Sequence, residues 1–237
     1  MISVFVEKEN ISENIVKITE KSDVNHLKNV FRMKEGDKLR VVDGEYEYFC
    51  TVVILEKKEI TAEINEKKSD EYSSAIKIDA ALGILKNDKM DLVIQKLTEI
   101  GINKIIPTIT KRTIVKLKEK KSKWDTVSKE ALKQCQGVRL MEISEPRKLS
   151  EIEFSDYDLV LLPYECAENT RIKDVLNKSE KTPEKILYLI GSEGGFSEEE
   201  VAYLQENNAK VVTLGKRILR AETAAIVVGG VLINDLE

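Results

Sequence analysis

From Ile76 onward the chain alternates short β-branched runs with amphipathic helical periods, and that alternation leaves few folds open. Strands are predicted at 76–84, 104–109, 158–163, 186–190 and 210–214, and helices at 88–100, 122–136, 197–208 and 222–234. Strand then helix, repeated, implies a mostly parallel sheet covered on both faces, an α/β fold. Helix 88–100 carries the apolar face this needs: Met90, Val93, Ile94 and Leu97 fall at helical spacing, and Gly101 supplies the stop.

The first 70 or so residues follow a different rule. "NIVKIT" (14–19), "KLRVVD" (38–43), "YEYFCTVVILE" (46–56) and "EITAEI" (59–64) are β-branched and partly alternating, with turn signals at Gly36-Asp37 and Asp43-Gly44. One helix, about Asp23 to Met33, interrupts them. Short strands at this spacing suggest a small barrel. The polar stretch "NEKKSDEYSS" (65–74) reads as a linker, which sets domains at 1–70 and 75–237.

Composition narrows the chemistry. With 42% hydrophobic residues among 237, the chain can bury a core without staples. Three widely spaced cysteines, Cys50, Cys135 and Cys166, without a C-x-x-C pair, suggest a reducing cytosol and no zinc site. The single histidine, His26, rules out two-histidine zinc motifs, and nothing near it suggests the base of a Ser-His-Asp triad. No apolar run reaches membrane-spanning length, and "MISVFVEKEN" lacks a signal-peptide pattern, so a cytoplasmic protein is expected. The net charge of −4 argues weakly against a nucleic-acid partner, yet "KRTIVKLKEKKSK" (111–123) holds seven basic residues against one acid. Such a run is either a solvated face or a phosphate-contacting patch.

The segment "ILYLIGSEGGFSEEEV" (186–201) reads as a buried strand, a glycine turn and a helix. Ser197 at the N-cap and Glu200 three residues later form a capping box, and Phe196 with Val201 make a hydrophobic staple. A turn held this firmly can present ordered backbone groups to a ligand, though a plain strand-to-helix turn is the other reading. Walker A chemistry would need Lys-Ser/Thr after the last glycine, and a dinucleotide site G-x-G-x-x-G; neither is here. Glu193 would repel a phosphate, so a cationic or backbone-read neutral ligand fits better. "VVTLGKRILRAETAAIVVGGVL" (211–232) repeats the strand, loop and helix arrangement, with Arg217 and Arg220 in the loop. Glu222 and Thr223 open its helix, where capping alone would also explain them.

"LIGSEGGFS" followed by "LGKRILRAETA" resembles the RsmE family of ribosomal RNA methyltransferases, of the SPOUT superfamily. The resemblance covers nearly the whole chain: "NHLKNVFRMKEGD" (25–37), "KNDKMDLVIQKLTEIGI" (86–102), "TKRTIVK" (110–116) and "KEALKQC" (129–135) fall in family order. It implies a C-terminal SPOUT α/β domain with a trefoil knot, preceded by a small PUA-like β-barrel domain that binds RNA. The knot rests wholly on the resemblance, since knots are nearly absent from proteins. The chain departs from the family pattern in three places. Ser192 replaces the proline of Gly-Pro-Glu-Gly-Gly, Gln136-Gly137 follows Cys135 with Arg139 two residues on, and a paired histidine is reduced to Asn25-His26.

The resemblance further implies S-adenosylmethionine as methyl donor and N3 of a uridine in 16S ribosomal RNA of the small subunit as acceptor, by a homodimer. Uridine N3 carries a proton, so the site needs a base or an anion-stabilising group. Arg220 is the expected stabiliser, and Glu222, Glu193 or bulk water the expected proton acceptor. Cofactor contacts are expected from Leu162, Pro163, Gly191, Ser192, Gly194, Gly195, Leu214, Gly215, Ile218, Leu219 and Thr223. RNA contacts are expected from His26, Arg32, Lys34, Lys86, Arg112, Lys116 and Arg139; a packed helix histidine is the other reading of His26. The rivals are a 2′-hydroxyl methyltransferase of the same superfamily and a non-catalytic RNA-binding relative.

Overall fold

The computed structural model describes residues 1–86, 88–115, 117–179 and 181–236, and divides the chain into two compact units. The first comprises Met1–Ser73 together with Leu132–Leu140. Its strands are β1 (Ser3–Phe5), β2 (Ile15–Ile18), β3 (Lys38–Val42), β4 (Tyr46–Leu55) and β5 (Ile60–Ser69), in the sheet order β1-β3-β4-β5-β2. Only β1–β3 is parallel. Period-two alternation turns Val16, Ile18, Leu39, Val41, Cys50, Val52, Ile60 and Ala62 into one core, joined by Val24 and Leu27. Those last two come from α1 (Lys21–Asn25) and the π-helical turn His26–Val30 that continues it. This element starts two residues earlier than the apolar pattern implies, and Arg32, at φ +52°, lies just beyond its end.

The polar stretch at 65–69 is strand rather than linker. β5 extends to Ser69, with Lys67 opposite Tyr48 and Lys68 opposite Glu47, beyond the four residues that β2 covers. The Lys67 ammonium lies 3.6 Å from the Tyr46 ring centroid and Lys68 4.9 Å from that of Phe49. Cation–π contacts thus let charged side chains line a strand. Leu132–Leu140 is held in this unit by a buried arginine. Arg40, 4% exposed, donates from Nε to Glu47 at 2.6 Å and from one terminal nitrogen to the carbonyls of Gln136 (2.9 Å) and Gly137 (3.3 Å).

The second unit, Ser74–Ala131 with Met141–Glu237, holds a parallel seven-stranded sheet. Its strands are β6 (Lys77–Gly83), β7 (Lys104–Ile109), β8 (Glu142–Ile143), β9 (Arg147–Lys148), β10 (Leu159–Pro163), β11 (Lys185–Ile190) and β12 (Lys210–Val212). The order is β12-β10-β11-β6-β7-β8, with β9 also on β7. Alternate residues of β11 enter opposite cores. Ile186, Tyr188 and Ile190 meet Met90, Ile94 and Leu97 of α2 (Asp88–Ile100), Trp124 of α3 (Ser122–Cys135), and Val228 and Leu232 of α6 (Ala221–Leu236). Leu187 and Leu189 join Phe154, Phe196, and Val201 and Leu204 of α5 (Glu198–Glu206). Both faces are buried, which is why these strands read as unbroken apolar runs. The three-residue β1, the two-residue β8 and β9, and the five-residue α4 (Ile172–Leu176) have too little sequence to show a period.

Candidate active site

The carboxyl ends of β10, β11 and β12 open on a cleft of about 450 Å³ in the second unit. Ligands of parallel α/β sheets sit outside strand carboxyl ends, so the location follows from the topology. The glycine turn Gly191–Gly195 forms one wall and residues 213–222 another.

The glycine turn is packed backbone against backbone. A Cβ on Gly191 would lie 2.6 Å from the carbonyl carbon of Gly195, and one on Gly83 of β6 would lie 2.2 Å from the Ser192 nitrogen. Gly195 has φ +67°, and its N–H donates to the Ser192 carbonyl at 2.9 Å. Glycine is therefore needed first for the turn's own closure. Ser192, in place of the family's proline, donates from its hydroxyl to the Arg112 carbonyl at 3.2 Å. Arg112 in turn donates to the Gly194 carbonyl at 2.8 Å. The capping box is formed: the Ser197 hydroxyl accepts from the Glu200 N–H (3.2 Å), and Glu200 accepts from the Ser197 N–H (2.8 Å). The second Glu200 oxygen accepts from the Lys111 N–H at 2.7 Å.

Of the expected cofactor residues, Pro163, Gly191, Ser192, Gly194, Gly195, Leu214, Gly215, Ile218 and Leu219 line the cleft, as do Arg220, Glu222 and Glu193. Leu162 does not: strand alternation turns it into the core with Leu187 and Leu189. Thr223 does not either; it is exposed on α6 and lies outside the cleft wall.

Charge in the cleft is arranged around Lys89, a residue the motif reading passed over. Its ammonium is 3.5 Å from Glu193 Oε1 and 3.6 Å from Glu222 Oε2. The Lys86 N–H also donates to Glu193 Oε1 at 3.0 Å. Burial pushes the Glu193 carboxyl up, but the Lys86 and Glu193 N–H groups and the Lys89 charge outweigh it, leaving its pKa below the ordinary value. Glu222 is 9% exposed, and its Oε2 is buried without a hydrogen-bond donor. Arg220, by contrast, is exposed and its guanidinium has no partner among the described residues. A buried carboxylate oxygen that has a cation at 3.6 Å but no hydrogen-bond donor suits a ligand that brings one. The one signal for Lys89 was its place in the first turn of a helix, where a cation opposes the dipole. Tyr164, Glu165, Thr213, Lys216 and Arg217 also line the cleft, the last two from within the second motif, "LGKRILRAETA".

The expected RNA residues fall in both units. In the first, His26, Arg32, Lys34 and Arg139 are exposed, and the His26 ring stacks on Phe31 with centroids 4.8 Å apart. So His26 is not packed in the core. In the second, Arg112 is exposed but bonded to the glycine turn, Lys86 is half-buried, and Lys116 lies outside the described residues. Of the six described basic residues in the run 111–123, three form ion pairs: Lys111 with Glu199, Lys120 with Asp125 and Lys123 with Asp91. Among the described residues no cluster suits a metal ion, and no helix is long and apolar enough to cross a membrane.

Residues 72–233 match the family described as an RNA methyltransferase domain, and residues 18–65 the one described as an RNA methyltransferase PUA domain. Ribosomal RNA small subunit methyltransferase E of Bacillus subtilis (strain 168) is 31% identical over 217 residues, which cover 86% of this chain and 84% of that one. The protein of the same name from Mesomycoplasma hyopneumoniae (strain 232) is 33% identical over 210 residues, covering 86% and 87%. Among solved structures, the Neisseria gonorrhoeae methyltransferase E bound to S-adenosyl methionine superposes with a TM-score of 0.85 at 25% identity, over 99% of this chain and 97% of that one. Sequence likeness over most of both chains and a shared fold together make this chain a member of the ribosomal RNA small subunit methyltransferase E family.

Proposed function

We propose that this protein methylates N3 of a uridine in 16S ribosomal RNA, using S-adenosylmethionine. The observation that carries the reading is the convergence of the glycine turn and the 213–222 loop on one cleft, in a chain of this family. When bound, S-adenosylmethionine supplies an electrophilic methyl group on a sulfonium sulfur. The backbone of Gly191–Gly195, with Pro163, Leu214, Gly215, Ile218 and Leu219, would hold it.

The chain's own residues then divide the remaining work. Arg220, unpartnered at the cleft wall, donates to a uracil oxygen and stabilises the anion that forms as N3 loses its proton. Glu222, whose buried Oε2 has no hydrogen-bond donor and only the Lys89 charge 3.6 Å away, accepts that proton. Glu193 is already engaged by Lys86 and Lys89 and acts as a strut of the turn. Residues 1–70 would read RNA through His26, Arg32 and Lys34, and residues 75–237 would carry the cofactor site, closed by the trefoil knot. A homodimer working in the cytoplasm completes the reading.

Mass mapping of ribosomal RNA nucleosides from a deletion strain tests it. Loss of one N3-methyluridine, restored by the plasmid-borne protein, is expected. Loss of a 2′-O-methyl group instead, or no change, would overturn it.

A further inference from the structure

Three backbone elements meet at the cleft, and a single side chain contacts the charged group on each of the other two. Lys89 stands in the first turn of α2, with 37% of its side chain exposed, where the helix dipole works against it. Glu193 belongs to the turn after β11, and Glu222 opens α6. The ammonium lies between them, at 3.5 Å and 3.6 Å. Both distances are long for charged hydrogen bonds, so the link is chiefly Coulombic. Without Lys89 two carboxylates would face each other across the cleft, and Glu222 Oε2 has no other donor to hold it.

We propose that Lys89 is a positioning residue: by bridging Glu193 and Glu222 it fixes the gap between the glycine turn and the first turn of α6. The trio carries two negative charges and one positive, which leaves one negative charge uncompensated. A cationic group placed beside the two carboxylates would compensate it, and the sulfonium or the ammonium of S-adenosylmethionine is such a group. The identity of the ligand rests on the proposed function; the ordering of the two turns does not. The other charged groups lining the cleft are Glu165, Lys216, Arg217 and Arg220, and none of them forms an ion pair with Glu193 or Glu222 among the described residues.

Lys89→Met and Lys89→Arg separate charge from shape. Hydrogen exchange on the ligand-free protein, read in peptides covering 190–197 and 220–226, should speed about tenfold in Lys89→Met and return to wild type in Lys89→Arg. In the same variants the KM for S-adenosylmethionine should rise about tenfold in Lys89→Met and kcat should fall with the released Glu222, both restored by arginine. Unchanged exchange in Lys89→Met, or equal impairment in both variants, would overturn the proposal. Should Lys89→Met not fold, Glu193→Gln removes one arm of the bridge and should speed exchange in 220–226; no change there is the overturning result. A wild-type protein that takes up no S-adenosylmethionine would sink the proposed function, while the exchange data would still decide the part assigned to Lys89.

Discussion

The turn after β11 and the loop after β12 border the same cleft, yet they are secured very differently. Between Gly191 and Glu200, backbone and side-chain groups are tied to one another, to Arg112 and to Lys111. In the second loop, Thr213 and Gly215 share a short hydroxyl turn and the Arg220 carbonyl starts α6. From Lys216 to Leu219 there is no hydrogen bond among the described residues, and Ile218 is 84% exposed. One wall is tied by hydrogen bonds; the other is held by Leu214 and Leu219 against the core, with its 216–218 tip exposed. A preorganised wall saves entropy on binding, and a loose one lets the ligand enter and leave.

Breaking each wall should therefore have a different signature. The largest effect is expected on the loose side: Arg220→Ala should lower turnover roughly 10²- to 10³-fold while leaving the melting temperature unchanged, because its guanidinium supports nothing in the free protein. Steady-state kinetics beside a thermal melt checks this, and wild-type turnover would remove Arg220 from the mechanism. On the rigid side the loss should appear as stability. Gly191→Ala forces a Cβ to within 2.6 Å of the Gly195 backbone. It should cost about 1–3 kcal/mol by overpacking, read by denaturant titration. Glu200→Ala strands the N–H groups of Ser197 and Lys111, and should cost about 2 kcal/mol in the same assay.

A smaller, pH-dependent effect belongs to Glu193. Its folded pKa lies below the ordinary 4.5, so its stabilisation is fully present above that value. It is lost as pH falls below 4.5 through the folded value. Stability and cofactor affinity should hold from pH 7 to about 5 and then decline, and Glu193→Gln should remove that share of the decline. The smallest effect is expected from the basic run. Lys118 is exposed and unpartnered among the described residues, whereas Lys120 and Lys123 are spent on Asp125 and Asp91. Lys118→Ala should lower the salt slope of RNA binding by about one contact, and Lys123→Ala should leave it unchanged.

The two walls also differ in how far they could be read in advance. The capping box at Ser197 and Glu200 is a local device, and the structure forms it as the spacing predicts. The third partner of Glu200, the Lys111 N–H, comes from a distant loop and has no local signature. The end of strand 158–163 points to Leu162 as a cofactor residue, and the second motif points to Thr223. One-residue alternation in β10 turns Leu162 to the opposite core, and Thr223 falls on the exposed side of its helix. The strand at 65–69 was hidden for another reason: its lysines and glutamates have low strand propensity, and rings on the neighbouring strand supply what propensity lacks.

Sequence alone determined whatever depends on residues within a turn or two of each other: the strand and helix alternation, the turn between β11 and α5, and the cap that sets its angle. Tertiary structure decided which charges meet. Lys89, Glu193 and Glu222 lie far apart along the chain, and only the pairing of β11 with β6 and the packing of α6 against α2 bring them together. The physical reason is range: propensity and capping act through neighbouring backbone atoms, whereas charge acts through space.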